Sequence, residues 1–576
     1  MYENLNKYEQ MVFNALSVFL VVFYVASAVV IPAPTEFHRG ILVLITYILV
    51  FMLYKSANPL LRVLDYVLML VSAIVVIYWI YNYEALNYRA GMETELDQYI
   101  AAAGVLIGIE IARRAIGFVF VIIGAIMLIY GIYGQYAPDL IMHPGDTFLG
   151  VCTTIFFRED GVFGIMANVL ATYVLLFVLF GAFLEQSGAQ RFFIDWPMAA
   201  VGHKTGGPAK VAVIASALFG SISGSAIANT VSTGAFTIPL MKKAGFKPQV
   251  AGAIEPAASI GGMFMPPIMG AGGFIMAELT DVPYSHIMLV AIFPAFMYFF
   301  SVFVMIHYEA KSHNIAGIKS EQSAMSIFKR EWYYVSPLII ITILMLLGYS
   351  AGFAAVVGII TCIAVSWIKI DTRIDIKNFV VAARKGTESS LKIGATVGII
   401  GIIIAMLTFS GLILTFADIV IELAGGSLVM TIILIALASL VLGMGVPVTA
   451  AYLITAVVAV PALTHLGVNP IASHMIVYWL SQDSNISPPV CIAAFAGATI
   501  AKAPMWATAF NAFKFAKFLY VGPILFGFIP AFSLEASLPN ILMWFAIILV
   551  GNFIVSYFLS FSWYYNLKAK YLAKQA

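Results

Sequence analysis

Charge is what this sequence has least of. Only 10% of its 576 residues are Asp, Glu, Lys or Arg, and 62% are hydrophobic, against the roughly 45–50% apolar share of water-soluble domains. A soluble globule is excluded, and the chain reads as a polytopic membrane protein. The formal net charge of +2 leaves no basic face for nucleic acid. Cysteine is equally scarce: Cys152, Cys362 and Cys491 stand far apart with no CxxC or Cys/His spacing, so neither a disulfide framework nor a metal site is built from them. Long polar stretches are missing too. The charge-rich segments 309–331 and 369–392 are short, which excludes an enzyme with an extramembrane catalytic module. There is no HExxH and no nucleophile elbow, and GHKTGG (Gly202 to Gly207) lacks the upstream glycine spacing of a phosphate loop. Glu110, Glu185 and Glu278 read as span-end residues, and His203, His307 and His313 as loop residues.

What the chain does have is apolar runs long enough to cross a bilayer. The first, about 11–31, lacks a small-residue cleavage site and reads as a retained helix. Runs at 40–54, 63–82 and 116–134, with a more polar helix at 97–114, complete an N-terminal group. Gln135 to Gly161 interrupts the hydrophobicity and marks a boundary between 1–160 and 161–576. Further spans fall near 162–186, 208–240, 248–280, 286–307, 333–348, 352–368, 391–410, 428–466, 470–502, 506–532 and 538–563. Lys55 and Arg62, then Lys242, Lys243 and Lys247, then Lys568, Lys570 and Lys574 place three segments in the cytoplasm.

The larger group repeats itself at an offset of 222 residues. Leu218 meets Leu440, Ala228 meets Ala450, Thr233 meets Thr455, Pro239 meets Pro461, Gly245 meets Gly467 and Pro266-Pro267 meets Pro488-Pro489. Shared prolines and glycines point to shared backbone geometry. The loop MKKAGFKP (Met241 to Pro248) is basic, whereas its counterpart LTHLGVNP (Leu463 to Pro470) has no Lys or Arg. The positive-inside rule then puts them on opposite sides, so the repeat is inverted, an arrangement of secondary transporters.

Each copy has two candidate helix breaks: GSISGS (Gly220 to Ser225) and SIGGMFMPP (Ser259 to Pro267), then GMGVPVT (Gly443 to Thr449) and SQDSNISPP (Ser481 to Pro489). Broken helices survive in hydrocarbon only where they line protein or a water cavity. Freed carbonyls, with Ser221, Ser223, Ser225, Asn229, Thr230, Thr233 and Thr449, offer oxygen ligands to a small cation. Gly262, Pro266, Gly443, Gly445, Ser484, Asn485 and Ser487 complete the four tips, whose helix N-termini suit an anion. Asp483 and Glu255 are the intramembrane acids, read as cation ligands or proton carriers. The competing reading is that the small residues serve close helix packing, with serines bonding back to their own helix.

The run GGPAKVAVIASALFGSISGSAIANTVSTGAFTIPLMKKAGF (Gly206 to Phe246), with EPAASIGGMFMPPIMGAGGFIMAE (Glu255 to Glu278) and LGMGVPVTAAYLITA (Leu442 to Ala456), resembles the fused permeases of tripartite ATP-independent periplasmic (TRAP) transporters, TAXI-associated branch. IEIARRAIG (Ile109 to Gly117) and LFGAFLEQSGA (Leu179 to Ala189) agree. The resemblance implies a four-helix small-subunit-like domain (1–160) fused to an inverted-repeat elevator domain (161–576) with helical hairpins. It also implies import of organic anions, mainly carboxylates, from a TAXI-type periplasmic binding protein. The driving force would be a coupling cation, sodium or proton, with no other cofactor. Sodium ligands would then be Ser221, Ser223, Asn229, Thr449 and Asn485. One departure is the charged sequence Gln482-Asp483-Ser484-Asn485, where the family motif is uncharged. The alternatives are a stand-alone cation/carboxylate symporter and a non-transport subunit of a membrane complex, for which neither haem histidines nor paired quinone-site residues are present.

Overall fold

The computed structural model describes residues 2–56, 58–445 and 447–560, without the side chains of Pro59, Leu60, Ile222 and Ser223. Lys568, Lys570 and Lys574, assigned above to the cytoplasm, lie outside the described residues. Among the described residues every regular element is helical, because only intra-segment hydrogen bonding satisfies the backbone of an isolated crossing segment in lipid. Nine of these helices are long and apolar enough to cross a membrane.

The run expected at 208–240 is a helical hairpin, Gly207–Ser223 followed by Ala226–Ala244. Its turn is short because Gly224 takes φ +63° and Ser225 caps the second arm, accepting from the Ala228 N–H at 3.3 Å. The run at 428–466 is a second hairpin, Leu428–Leu442 and Val448–His465, turned at Gly445 with φ +77°. Behind each hairpin lies one interrupted helix. The first is Pro248–Gly262 followed by Gly272–Thr280, and the second is Pro470–Leu480 followed by Ile492–Ala501. In both, the intervening stretch holds the Pro-Pro pair of the repeat.

The two interrupted helices run in opposite senses. Gly252, near the start of the first, touches Gly497, near the end of the second: a Cβ built on Gly497 would stand 2.2 Å from the Gly252 carbonyl oxygen, and one on Gly252 would stand 2.9 Å from that of Gly497. Lys242, at the base of the first hairpin, donates to the Ala501 carbonyl at 2.7 Å. One unit therefore begins on the face where the other ends, as the opposite charge of the two loops predicts. An odd number of crossings separates the hairpin bases: the first interrupted helix, Tyr284–Ser312, the antiparallel pair Ser336–Leu346 and Ala351–Ser366, and the run Ile376–Phe409.

The N-terminal helices Lys7–Val29, Thr35–Leu53, Glu95–Ala115 and Phe118–Tyr133 pack on the frame of the larger group, chiefly on Ile376–Phe409 and Ile165–Gln186. Gly108 and Gly398 bring two of these helices into backbone contact, a Cβ on Gly398 falling 2.6 Å from the Gly108 Cα. Arg39 donates to the Phe163 carbonyl and to Asn168 Oδ1, and Trp79 stacks on Phe163 at 3.7 Å.

Four elements depart from the sequence-based expectation. The polar segment 369–392 is mostly helix, Ile376–Gly394, whose apolar face packs on Leu175–Gln186 while its lysines stay outside. Within the boundary segment Gln135 to Gly161, Phe148–Phe157 is a buried helix against Glu95–Ala115; its ten residues are too few to show a spanning pattern. Ala189–Val201 and Leu412–Leu423 are amphipathic helices preceding the two hairpins, each started by a left-handed glycine, Gly188 and Gly411.

Two outcomes test this architecture. Cysteines placed at the exposed, equivalent positions Lys243 and His465 should be labelled by an impermeant maleimide from opposite sides of the membrane; labelling from one side contradicts the inversion. Gly497→Val should force the interrupted helices apart and lower the thermal midpoint of the purified protein, an overpacking cost of about 1–3 kcal/mol or more. Gly551→Val, where a Cβ meets nothing within 4 Å, should leave the midpoint nearly unchanged.

Candidate functional site

Each hairpin tip is held against the break behind it by residues small enough to let backbones meet. Gly220 and Gly262 do this in the first unit: a Cβ on Gly262 would lie 2.5 Å from the Gly220 Cα. In the second unit Gly443 faces Ser484, its Cβ position 2.6 Å from the serine Oγ. The same contact is thus made twice, once between glycines and once with a hydroxyl inserted.

The first break is closed by tyrosines. Tyr478, from the second unit, sets its hydroxyl between the carbonyls of Met263 (2.8 Å) and Met269, and Tyr284 reaches the carbonyls of Pro267 (2.9 Å) and Ile268. The Gly262 carbonyl accepts from the Met265 N–H. Phe264 stacks on Trp479 at 4.3 Å. The carbonyls of Gly262, Met263, Pro267, Ile268 and Met269 are thus engaged within the protein, Gly262 serves close packing, and Pro266 is half-buried beside the turn.

What stays unpaired at the first tip is side-chain oxygen. Asn229 is fully buried and anchored by its Nδ2, which donates to the Ser216 carbonyl at 3.2 Å, while its Oδ1 has no partner. Thr230 Oγ1 and Ser259 Oγ are likewise buried and unpaired. Ser221 instead bonds back to the Leu218 carbonyl at 2.9 Å, and Thr233 to that of Asn229 at 2.7 Å. Ser225 is the helix cap described above. Ser223 ends its helix, and its side chain lies outside the described residues. Unpaired buried polar atoms cost about 1–3 kcal/mol each, a cost that a bound ligand would offset.

The second break has a different chemistry. Asp483, Ser484, Asn485 and Ser487 are all buried there. Asp483 Oδ1 accepts from the hydroxyls of Ser487 and Tyr520. Asn485 Nδ2, both polar atoms of Gln482 and Thr449 Oγ1 are buried without partners. Gly445 is exposed at the turn. The two halves are tied through Tyr478, the Gly252–Gly497 crossing, the Phe264–Trp479 stack and the Lys242 bond to the Ala501 carbonyl. Glu255, the other acid, lies deeper under the first hairpin and touches neither tip directly.

Sequence reasoning passed over Gln482 and Tyr520 as site residues. Tyr520 sits at the repeat position of Tyr298, whose hydroxyl donates to the Ala257 carbonyl, and a phenol in mid-span at a repeated position is the signal that marks it.

If Asn229 and Thr449 hold an ion or substrate, Asn229→Leu and Thr449→Val should weaken the ligand-dependent rise in thermal midpoint of the purified protein. A loss of about tenfold in apparent affinity is expected for one ligand of ~1.4 kcal/mol. Ser221→Ala should leave that affinity within about twofold, because its hydroxyl is spent on its own helix.

The profile of the DctM component of tripartite ATP-independent periplasmic transporters matches residues 103–532. The C4-dicarboxylate TRAP transporter large permease protein DctM of Pseudomonas aeruginosa is 27% identical over 411 residues, 68% of this chain and 92% of the relative. The 2,3-diketo-L-gulonate TRAP transporter large permease protein YiaN of Escherichia coli is 24% identical over 366 residues, 62% of this chain and 83% of the relative. Among solved structures, the Alcanivorax borkumensis YdaH transporter superposes with a TM-score of 0.48 at 18% identity, covering 75% of this chain and 99% of that one. The family match takes in both hairpins, both interrupted helices and the frame between them, and the chain belongs to the DctM-component family of tripartite ATP-independent periplasmic transporters, multi-pass permeases of the inner membrane that are not enzymes.

Proposed function

We propose that the protein imports organic anions, chiefly carboxylates, on a cation gradient, and that it receives them from a periplasmic binding protein of the TAXI type. The observation that carries this reading is the gathering of buried, unpaired polar atoms at both hairpin tips. The first tip offers the carbonyl oxygen Asn229 Oδ1 and the Thr230 hydroxyl, with the Ser259 hydroxyl behind them. The second offers both polar atoms of the Gln482 amide, Asn485 Nδ2 and the Thr449 hydroxyl. Oxygens suit a cation and donors suit a carboxylate. A permease that couples the two needs both within one moving body.

The relatives' printed substrates, C4-dicarboxylates and 2,3-diketo-L-gulonate, are carboxylate anions, which favours this substrate class. The packing supports an elevator mechanism. Hairpins and interrupted helices are laced together through Gly220–Gly262, Tyr478 and Gly252–Gly497, so they move as a unit. The N-terminal helices grip the frame through Gly108–Gly398 and Arg39, and act as the wall against which that unit slides.

In proteoliposomes, uptake of a radiolabelled dicarboxylate panel should require an imposed cation gradient and a purified TAXI-type binding protein, and ATP should have no effect. Full uptake without the binding protein would assign the chain to the stand-alone symporters. Uptake that ignores every cation gradient would overturn the coupling.

A further inference from the structure

Glu255 is used by nothing described so far. It is fully buried in the middle of Pro248–Gly262, and three hydroxyls from the first hairpin close over its carboxyl: Ser216 at 2.6 Å and Thr233 onto Oε1, Thr237 onto Oε2. Its methylene lies against Gly234, the glycine whose lack of a side chain leaves room for it, a Cβ there falling 3.1 Å from Glu255 Cγ. Among the described residues no cation reaches it. The helices packed on it are Gly207–Ser223, Ala226–Ala244, Tyr284–Ser312, Ile492–Ala501 and Met505–Phe515. Of their ionisable groups, Lys210 is turned to His307 Nδ1 (3.2 Å), Lys242 to the Ala501 carbonyl and Tyr298 to the Ala257 carbonyl. Lys514 is placed near Glu309, and Lys243 and Lys311 are exposed at helix ends.

The cage belongs to the first unit alone. At the repeat offset, Ser216, Thr237 and Glu255 become Ala438, Ala459 and Val477, and only Thr233 keeps its hydroxyl as Thr455. Packing or repeat symmetry does not call for an acid here. A polar path leads from it to the tip: Thr233 touches both Glu255 and the Asn229 carbonyl, and Ser216 touches Glu255 through its hydroxyl and Asn229 through its carbonyl. The carboxyl is therefore one residue removed from the unpaired Asn229 Oδ1.

We propose that Glu255 is a proton-binding site of the moving unit and that its protonation sets the state of the first hairpin tip. This rests on the import reading and names its coupling ion. The hydroxyls stand in direct hydrogen-bonding contact with both carboxyl oxygens and leave no room for a metal cation between them. An unpaired carboxylate carried through the bilayer is costly, whereas the same group with a bound proton is a neutral acid that returns a hydrogen bond to its cage. The proton is taken from water on the periplasmic side and released to the cytoplasm, and the carboxylate is regenerated, so charge balances over a cycle.

The test needs no substrate. Infrared difference spectra of the full chain in liposomes, between acid and alkaline pH, should show a buried carboxyl band that titrates, is lost in Glu255→Gln and is displaced in Thr237→Val. In a background with the three native cysteines replaced, a cysteine at Ser225 should be alkylated at a rate that changes several-fold with pH; Glu255→Gln should make that rate pH-independent. A titrating band unaltered in Glu255→Gln, or identical pH profiles of alkylation in both proteins, overturns the proposal. If Glu255→Gln does not fold, Thr233→Val and Thr237→Val decide it, since neither removes the carboxyl and both must move the band and the alkylation profile. Failure of uptake in the reconstituted system would instead count against the import reading, because these readouts do not depend on transport.

Discussion

The structure depends on one constraint: a backbone that leaves the helix inside hydrocarbon must find partners for its N–H and C=O groups without water. Two interrupted helices violate helicity, and each break is sheltered by the other unit or by its own hairpin. Tyr478 from the second unit satisfies the break of the first. The glycine pairs Gly220–Gly262 and Gly252–Gly497 bring backbones close enough to exclude lipid. The two units are therefore an interlocked pair.

Within that shared geometry the two units have diverged chemically. The first break is sealed by Tyr284 and Tyr478, and the equivalent of Tyr284 in the second unit is Trp506, which has no hydroxyl. The second break therefore carries its own polar side chains, with Asp483 held by Ser487 and Tyr520. The buried acid of the first unit sits under the hairpin, while that of the second sits in the break. Near-symmetric scaffolds with unlike chemistries at their tips can treat an anion and a cation differently while moving both together.

Much of this was legible in the residues. The hairpin tips were visible because Gly224, Gly445 and their flanking Ser and Pro residues are incompatible with continuous helix, and the offset of 222 survived because those residues answer to backbone geometry and not to surface chemistry. Asn229, Thr230, Thr449 and Asn485 stood out as polar residues in apolar surroundings. Phe148–Phe157, Ala189–Val201 and most of Ile376–Gly394 did not read as helices, because short or amphipathic helices lack the long apolar run that marks a crossing.

The sequence by itself determined the class of molecule, the inverted repeat and the polar inventory of the tips, since composition, charge bias and Gly/Pro placement act locally on the chain. Only the tertiary structure decided which of those polar groups are spent. Ser221 is bonded to its own helix, the carbonyls of Pro267 and Ile268 are met by Tyr284 of the next helix and that of Met263 by Tyr478, 215 residues away, and Glu255 acquires its cage from hydroxyls 18 to 39 residues distant. Hydrogen-bond partnership is a property of positions in space, and no local pattern encodes it.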